Sequence, residues 1–97
     1  MQKSVTLSSA TGVALVLTPG NACHDWTIQN TGSQSCNLSY DGTAGINLSG
    51  QQGYLLASGG QITKTFTGSK APPLVYGILT SAGSTTLQVT TDDTGST

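Results

Sequence analysis

Apolar and polar residues alternate along most of this chain with a period of two residues. The stretch from Trp26 to Tyr40 shows the pattern most clearly, because large apolar residues occupy every second position at both of its ends. Such alternation is typical of half-buried β-strands. Residues 31–35, between the two alternating runs, have the composition of a turn, in which Gly32 is free to adopt a positive φ.

These two runs are predicted to pair as an antiparallel hairpin. Directly opposed residues of a hairpin point to the same face of the sheet. A five-residue loop places Ile28 opposite Leu38 and Trp26 opposite Tyr40, so that all the large apolar groups share one face. Trp26 is the only tryptophan, and we expect the hairpin around it to form the centre of the core.

Further strands are predicted from the same alternation on either side of this hairpin. They lie around Val5–Leu7, Val13–Leu17, Ile46–Leu48, Tyr54–Leu56, Ile62–Phe66, Leu74–Leu79 and Leu87–Val89. The second and sixth of these runs are apolar on both faces, which is typical of central strands. Lys64 lies between two apolar residues on one face, which predicts either an edge strand protected by an inward-pointing charge or a rim position where the lysine side chain extends to solvent.

The chain is therefore predicted to be all-β, as an antiparallel β-sandwich or jelly roll of about eight short strands. Its 97 residues form one domain, 1–97. Residues 1–9 are expected to be a first strand or an assembly arm, and residues 92–97 a polar tail that frays. Thr and Ser interrupt the apolar part of residues 1–23, which favours strand structure over a signal peptide. No apolar run approaches the length of a membrane span.

The composition favours a protein that sits in an assembly. Only 7% of the residues are charged, and the formal net charge is −1. A net charge near zero favours association over a free monomer, although a small extracellular domain can have a similar surface. There is no Arg, and the three Lys are scattered, so the clustered positive charge that nucleic-acid binding needs is missing from the sequence.

The residues that carry chemistry are few. His24 is the only histidine, and neither it nor the four Asp residues form a catalytic or metal-binding motif, so we expect no enzyme activity, cofactor or metal. In the predicted hairpin register, Cys23 and Cys36 lie about 23 Å apart, far beyond the reach of a disulfide. Two buried free thiols are expected, which fits synthesis in a reducing cytoplasm.

The aromatic residues divide into core and surface candidates. Trp26, Tyr40 and Tyr76 lie in strands of apolar pattern, so core packing is the favoured interpretation. Tyr54 lies beside a Gly-rich stretch and is the candidate surface aromatic, on which a sugar ring could stack.

Several short segments, spread over residues 24–91, together resemble a known family. They are Trp26–Asn30 followed by Gly32, Leu38–Thr43, Leu55 with the Gly59-Gly60 turn, Ala71–Tyr76 with Ile78, and Leu87–Thr91. Their order resembles the small β-sandwich proteins of tailed-phage virions, in particular capsid decoration (cement) proteins. Gly59-Gly60 stands where that family would have Pro-Gly, which leaves the geometry of this loop open.

The resemblance implies a protein made in the host cytoplasm that binds the major capsid protein on the outer surface of the virion, often as a trimer. The candidate assembly contacts are Gln2, Lys3, Val5 and Leu7. A strand-like arm at residues 1–9 could pair with a neighbouring sheet edge through its main chain. Its deletion is expected to leave the sandwich folded and abolish assembly. The alternatives are a receptor- or glycan-binding module of a phage fibre, or a tail or connector subunit.

Overall fold

The computed structural model describes residues 1–10, 12–42, 53–68 and 70–97. Eight antiparallel strands and no helix lie within these ranges, which confirms the predicted β-sandwich. The strands are β1 (Gln2–Ser8), β2 (Ala14–Leu17), β3 (Asp25–Asn30), β4 (Cys36–Ser39), β5 (Tyr54–Leu56), β6 (Gln61–Thr65), β7 (Val75–Leu79) and β8 (Ser84–Thr91). No described segment is therefore a helix able to cross a membrane.

The strands form two four-stranded sheets. Sheet A has the order β1-β8-β3-β6, and sheet B has the order β2-β7-β4-β5. The first strand pairs with the last, the second with the seventh, the third with the sixth and the fourth with the fifth. This nested pairing, rolled into two facing sheets, is that of a jelly roll.

The predicted hairpin of β3 and β4 is wrong, because these strands lie in different sheets. β3 pairs with β6 and β8, whereas β4 pairs with β5 and β7. The predicted facing is nevertheless correct, since Trp26, Ile28 and Leu38 are all fully buried in one core. Alternation shows which side of a strand is buried, but a buried partner can lie beside that strand or across the core from it.

Residues 31–35 form an arch that leads from sheet A to sheet B, and Asn30 anchors its start. The buried Asn30 side chain donates to the carbonyl oxygens of Gln34 and Leu56 and accepts hydrogen bonds from Gly32 N–H and the Thr85 hydroxyl. A Cβ on Gly32 would collide with Thr85 Oγ1. Glycine is thus required here by a close approach, and its φ is not among the positive ones.

Strand β1 is part of the sandwich, so of the two alternatives expected for residues 1–9 the first strand is observed and the separable arm is not. It pairs with β8 over seven consecutive positions, and Leu7 is fully buried in the core. Leu7 is therefore not available as a surface contact. Deletion of residues 1–9 would remove this buried leucine and one edge of sheet A, so we expect it to destabilise the fold.

Four other expectations about the strands have mixed outcomes. β6 is an edge strand and β7 an inner strand, as predicted. β2 is an edge strand of sheet B and not a central one, so its apolar character on both faces needs another explanation. The strand predicted at Ile46–Leu48 lies outside the described residues.

The segment 92–97 is packed against the body of the protein, in contrast to the expected frayed tail. Thr97 exchanges two backbone hydrogen bonds with Thr18. Ser96 is 2% exposed; its hydroxyl accepts a hydrogen bond from Gly20 N–H and donates one to Asp93. The polar side chains of the 92–97 segment therefore form hydrogen bonds within the protein, and the alternation of apolar residues cannot predict such packing.

Candidate functional site

The solvent side of sheet B is apolar. Leu15 on β2 and Leu55 on β5 are 48% and 60% exposed. Between them, Tyr76 and Ile78 on β7 are partly exposed and lie on the same side, because Leu15 pairs with Tyr76 while Asn37 pairs with both Ile78 and Leu55. We call Leu15, Leu55, Tyr76 and Ile78 the apolar face. It has residues on both edge strands and on β7, while β4, which lies between β7 and β5, contributes polar residues to this side of the sheet.

The polar residues on this side of sheet B add little exposed polar surface. Asn37 and Ser39 on β4 alternate with the core residues of that strand, yet they are only 3% and 7% exposed. The Ser39 hydroxyl donates to the Asp41 carboxylate over 2.8 Å. A partner that covered the apolar face would therefore not have to strip water from these two side chains.

The solvent side of sheet A has the opposite character, and we call it the polar face. Its exposed and partly exposed side chains are Gln2, Ser4, Thr6, Ser8, Asp25, Thr27, Gln29, Gln61, Thr63, Thr65, Ser84, Thr86, Gln88 and Thr90. Several are hydrogen-bonded across strands, as in the pairs Ser4–Gln88 at 3.0 Å and Thr27–Thr63 at 2.8 Å. The two sides of the sandwich thus differ in polarity, and the apolar one is the stronger candidate for contact with another protein.

A row of aromatic rings lies at the end of the sandwich between β5 and β6. The exposed Tyr54 ring is 6.2 Å from Tyr40, which is 6.4 Å from the buried Trp26, which in turn is 6.4 Å from Phe66. Lys64 Nζ lies 4.4 Å from the centre of the Tyr40 ring. We call these four rings the aromatic row. Tyr54, the predicted surface aromatic, is its solvent-facing end, with 42% exposure.

The predicted assembly contacts on β1 divide between the two sides of sheet A. Gln2 is exposed on the polar face, whereas Leu7 is fully buried. Lys3 and Val5 share the inner side with Leu7 and are partly buried, with Val5 packed against the core. The structure therefore does not bring the four residues together as one surface. Tyr76, predicted to lie in the core, belongs to the apolar face.

A thiol and two carboxylates meet where the 92–97 segment packs beside the start of β3. Cys23 Sγ and carboxylate oxygens of Asp92 and Asp93 all lie within 4.8 Å of one another. Each group has an internal partner: the thiol donates to Asp25 O, Asp92 accepts His24 N–H, and Asp93 accepts the Ser96 hydroxyl. The His24 hydrogen bond is the main cause that lowers the pKa of Asp92. These hydrogen bonds hold the 92–97 segment against the start of β3.

Both cysteines are free and buried, as predicted, although the register used to predict this was wrong. Burial raises the pKa of the Cys36 thiol to about 11. Burial also raises the pKa of Cys23, and the negative charges of Asp93 and Asp92 act in the same direction. Neither thiol is therefore in the electropositive surroundings that activate a nucleophilic cysteine.

The apolar face is the feature that sequence reasoning missed. Its signal was present, since β2 and β7 are apolar on both faces. The same pattern is typical of central strands, which is the position that it predicts for β2 and β7. For the edge strand β2 it instead reflects an outer surface that is itself apolar.

Comparison with known proteins identifies no relative of this chain. No protein-family model matches it, and neither the curated proteins nor the solved structures yield a match. Its function is therefore inferred from the two faces, the sheet edges and the aromatic row.

Proposed function

We propose that this protein is a non-enzymatic structural subunit that docks on a larger protein assembly through its apolar face. The specific role that fits best is that of a tailed-phage capsid decoration protein, bound to the major capsid protein on the outer surface of the virion after synthesis in the host cytoplasm. The supporting observation is the apolar face, with Leu15 and Leu55 about half exposed on a domain with few charges. Exposed apolar patches of this kind mark interaction sites.

The energy available from this face suits docking. Full burial of a leucine side chain contributes about 1.5–3 kcal/mol relative to full exposure. Leu15 and Leu55 have already lost about half of their exposure, so covering the remainder contributes roughly 1 kcal/mol each. The two leucines together then account for a factor of about 30 in affinity, since 1.4 kcal/mol corresponds to tenfold.

The fold is compatible with this role but does not distinguish it from other functions. Jelly rolls occur in viral capsid proteins and also in lectins, so the architecture alone does not choose between assembly and sugar binding. The low charge adds support, because a nearly uncharged domain meets little electrostatic repulsion when many copies crowd on one shell.

The test is co-sedimentation with capsid shells of the tailed phage whose genome carries the coding sequence. The double variant Leu15→Thr, Leu55→Thr replaces the exposed leucines by a polar, β-branched residue that is favoured in strands. Its matched control is Gln29→Thr, Gln61→Thr on the polar face. We expect the leucine variant to bind at least about tenfold more weakly than wild type, and the control to bind like wild type.

Equal binding by the leucine variant and the control would refute the apolar face as the docking surface. Failure of the wild-type protein to bind any such shell would refute the capsid role. Light scattering of the pure protein at several concentrations then shows whether it forms the expected trimer before docking.

A second candidate function is sugar binding by a fibre module, and the aromatic row is the observation that favours it. An exposed tyrosine ring backed by a second ring offers a stacking platform, and Tyr54 and Tyr40 are arranged in this way. Glycan-array binding that is retained by Tyr54→Phe and lost by Tyr54→Ala would favour this function. Capsid binding by Tyr54→Ala at wild-type strength would separate the two functions.

A further inference from the structure

The edges of sheet A suggest a role for two of the three lysines. We propose that Lys3 and Lys64 prevent the edge strands β1 and β6 from pairing with strands of other molecules. Association is then restricted to the faces of the sandwich. The proposal goes beyond the docking function above and does not depend on it, since it concerns the pure protein.

Lys3 lies on the inner side of the edge strand β1. It shares this side with the buried Leu7, and its partner across the strand pair is Val89, which is fully buried. Its side chain therefore leaves the core layer at the open edge of the sheet, where partial burial lowers the pKa of Lys3. An ammonium group there remains solvated only while no further strand covers the edge.

Lys64 has the equivalent position on the opposite edge strand, β6. Its partner across the strand pair is Trp26, which is fully buried at the centre of the core. The Lys64 ammonium group reaches over the Tyr40 ring, 4.4 Å from its centre. Each of the two open edges of sheet A thus has one inward-pointing lysine beside a core residue.

The main chain of β1 would otherwise be ready to pair. Met1 forms a backbone hydrogen bond with Thr91 of β8, and Ser9 forms one with Gly83, directly before β8. By antiparallel alternation, the amides of Gln2, Ser4 and Thr6 therefore point away from β8. A strand added here would extend the core layer over Lys3 and remove water from its charge. Inward-pointing charges are a known means by which β-proteins avoid such pairing.

The edges of sheet B are protected differently, which supports a specific role for the lysines. β5 has only three residues, and β2 has four with a shift of register between Leu15 and Leu17. Short or bulged edge strands offer little template for another chain. The longer edges, β1 with seven residues and β6 with five, are the ones that carry a lysine.

The experiment compares the single variants Lys3→Met and Lys64→Met with Lys70→Met. Lys70 is exposed and lies outside the strands, so it is a control for loss of one positive charge. Each substitution changes the net charge from −1 to −2. A general charge effect would therefore oppose association in all three variants, whereas the edge effect promotes it in two.

We expect Lys3→Met and Lys64→Met to associate at a protein concentration about tenfold or more below that of wild type and Lys70→Met, as measured by light scattering. Hydrogen exchange of Lys3→Met should then show slower exchange at the Gln2, Ser4 and Thr6 amides. Lys3→Arg and Lys64→Arg, which keep the charge, should behave as wild type.

Association of Lys70→Met to the same extent would overturn the proposal, as would unchanged behaviour of Lys3→Met. If Lys64→Met loses its native circular dichroism because its contact with Tyr40 is lost, Lys3→Met alone decides the outcome.

Discussion

The substitution Asn30→Asp tests whether the buried polar cluster at the arch holds the two sheets in place. The change keeps the shape of the side chain and replaces the amide nitrogen by oxygen. That nitrogen donates to Gln34 O over 2.7 Å and to Leu56 O over 3.1 Å. A carboxylate in its place would turn a negative oxygen toward these two carbonyl oxygens, while the bonds from Gly32 and Thr85 could still form.

The expected loss of stability is large for a domain of this size. Asn30 is fully buried, and a buried group left without its partner costs about 1–3 kcal/mol. Two carbonyl groups lose their donor, so the free energy of unfolding should fall by roughly 2–6 kcal/mol at neutral pH. Small domains have only about 5–15 kcal/mol in total. At about 4–8 °C per kcal/mol, the melting temperature should fall by at least about 8 °C.

Urea denaturation at pH 7 and pH 4.5 measures this effect and its cause. Burial raises the pKa of a carboxyl group, and the protonated acid of Asn30→Asp can again donate to one carbonyl. The deficit relative to wild type should therefore shrink as the pH falls. Gln29→Glu, the same chemical change on the exposed neighbour, should stay within about 0.5 kcal/mol of wild type. Equal and small effects of the two substitutions would refute the role of the cluster.

Two further predictions concern the core. Gly77→Ala should lower the free energy of unfolding by about 1–3 kcal/mol in chemical denaturation, because the added methyl group meets three buried side chains at 3.0–3.2 Å. The control is Gly59→Ala, whose methyl group meets no atom within 4 Å and which therefore measures only the strain of a positive φ. The Cys36 thiol, with its pKa raised to about 11, should resist alkylation at pH 8 until the protein unfolds. The thiol of the unfolded chain has the ordinary pKa of 9.0, so it loses its proton at a lower pH than the folded protein does. The free energy of unfolding should therefore fall as the pH rises from 9.0 to about 11.

The fold class could be predicted from the sequence because it depends on local pattern. Alternation predicts all eight described strands within a few residues, although it gives β2 the wrong position in its sheet. The pairing of β3 with β4 failed for a physical reason. Side-chain parity is satisfied equally by neighbours within a sheet and by neighbours across a core, and a jelly roll uses the second arrangement at residues 31–35.

The candidate sites were predictable in part for a similar reason. Tyr54 directly follows a Gly-rich stretch, so its exposure could be predicted from its neighbours in the sequence. The apolar face combines residues from β2, β5 and β7, which are far apart in the chain and meet only through strand order. Leu7 illustrates the opposite error, since an N-terminal position suggested an arm while pairing with β8 made it a core residue.

If Lys3 and Lys64 protect the edges of sheet A as proposed, these edges and the one apolar face together limit how many copies can join. β1 and β6 are the two opposite edge strands of sheet A, so unprotected edges there would let each molecule pair with two others. Such head-to-tail contacts grow into open fibres. A single face has only two uses: contact with the same face of a second copy, or docking on a different protein. A trimer needs two different contact surfaces on each chain. The second exposed patch in the described structure is the Tyr54 end of the aromatic row. If light scattering shows a trimer, both surfaces should contribute, and Tyr54→Ala should dissociate it as effectively as Leu15→Thr does. A trimer that survives both substitutions would show that its contacts lie elsewhere and would refute this assignment.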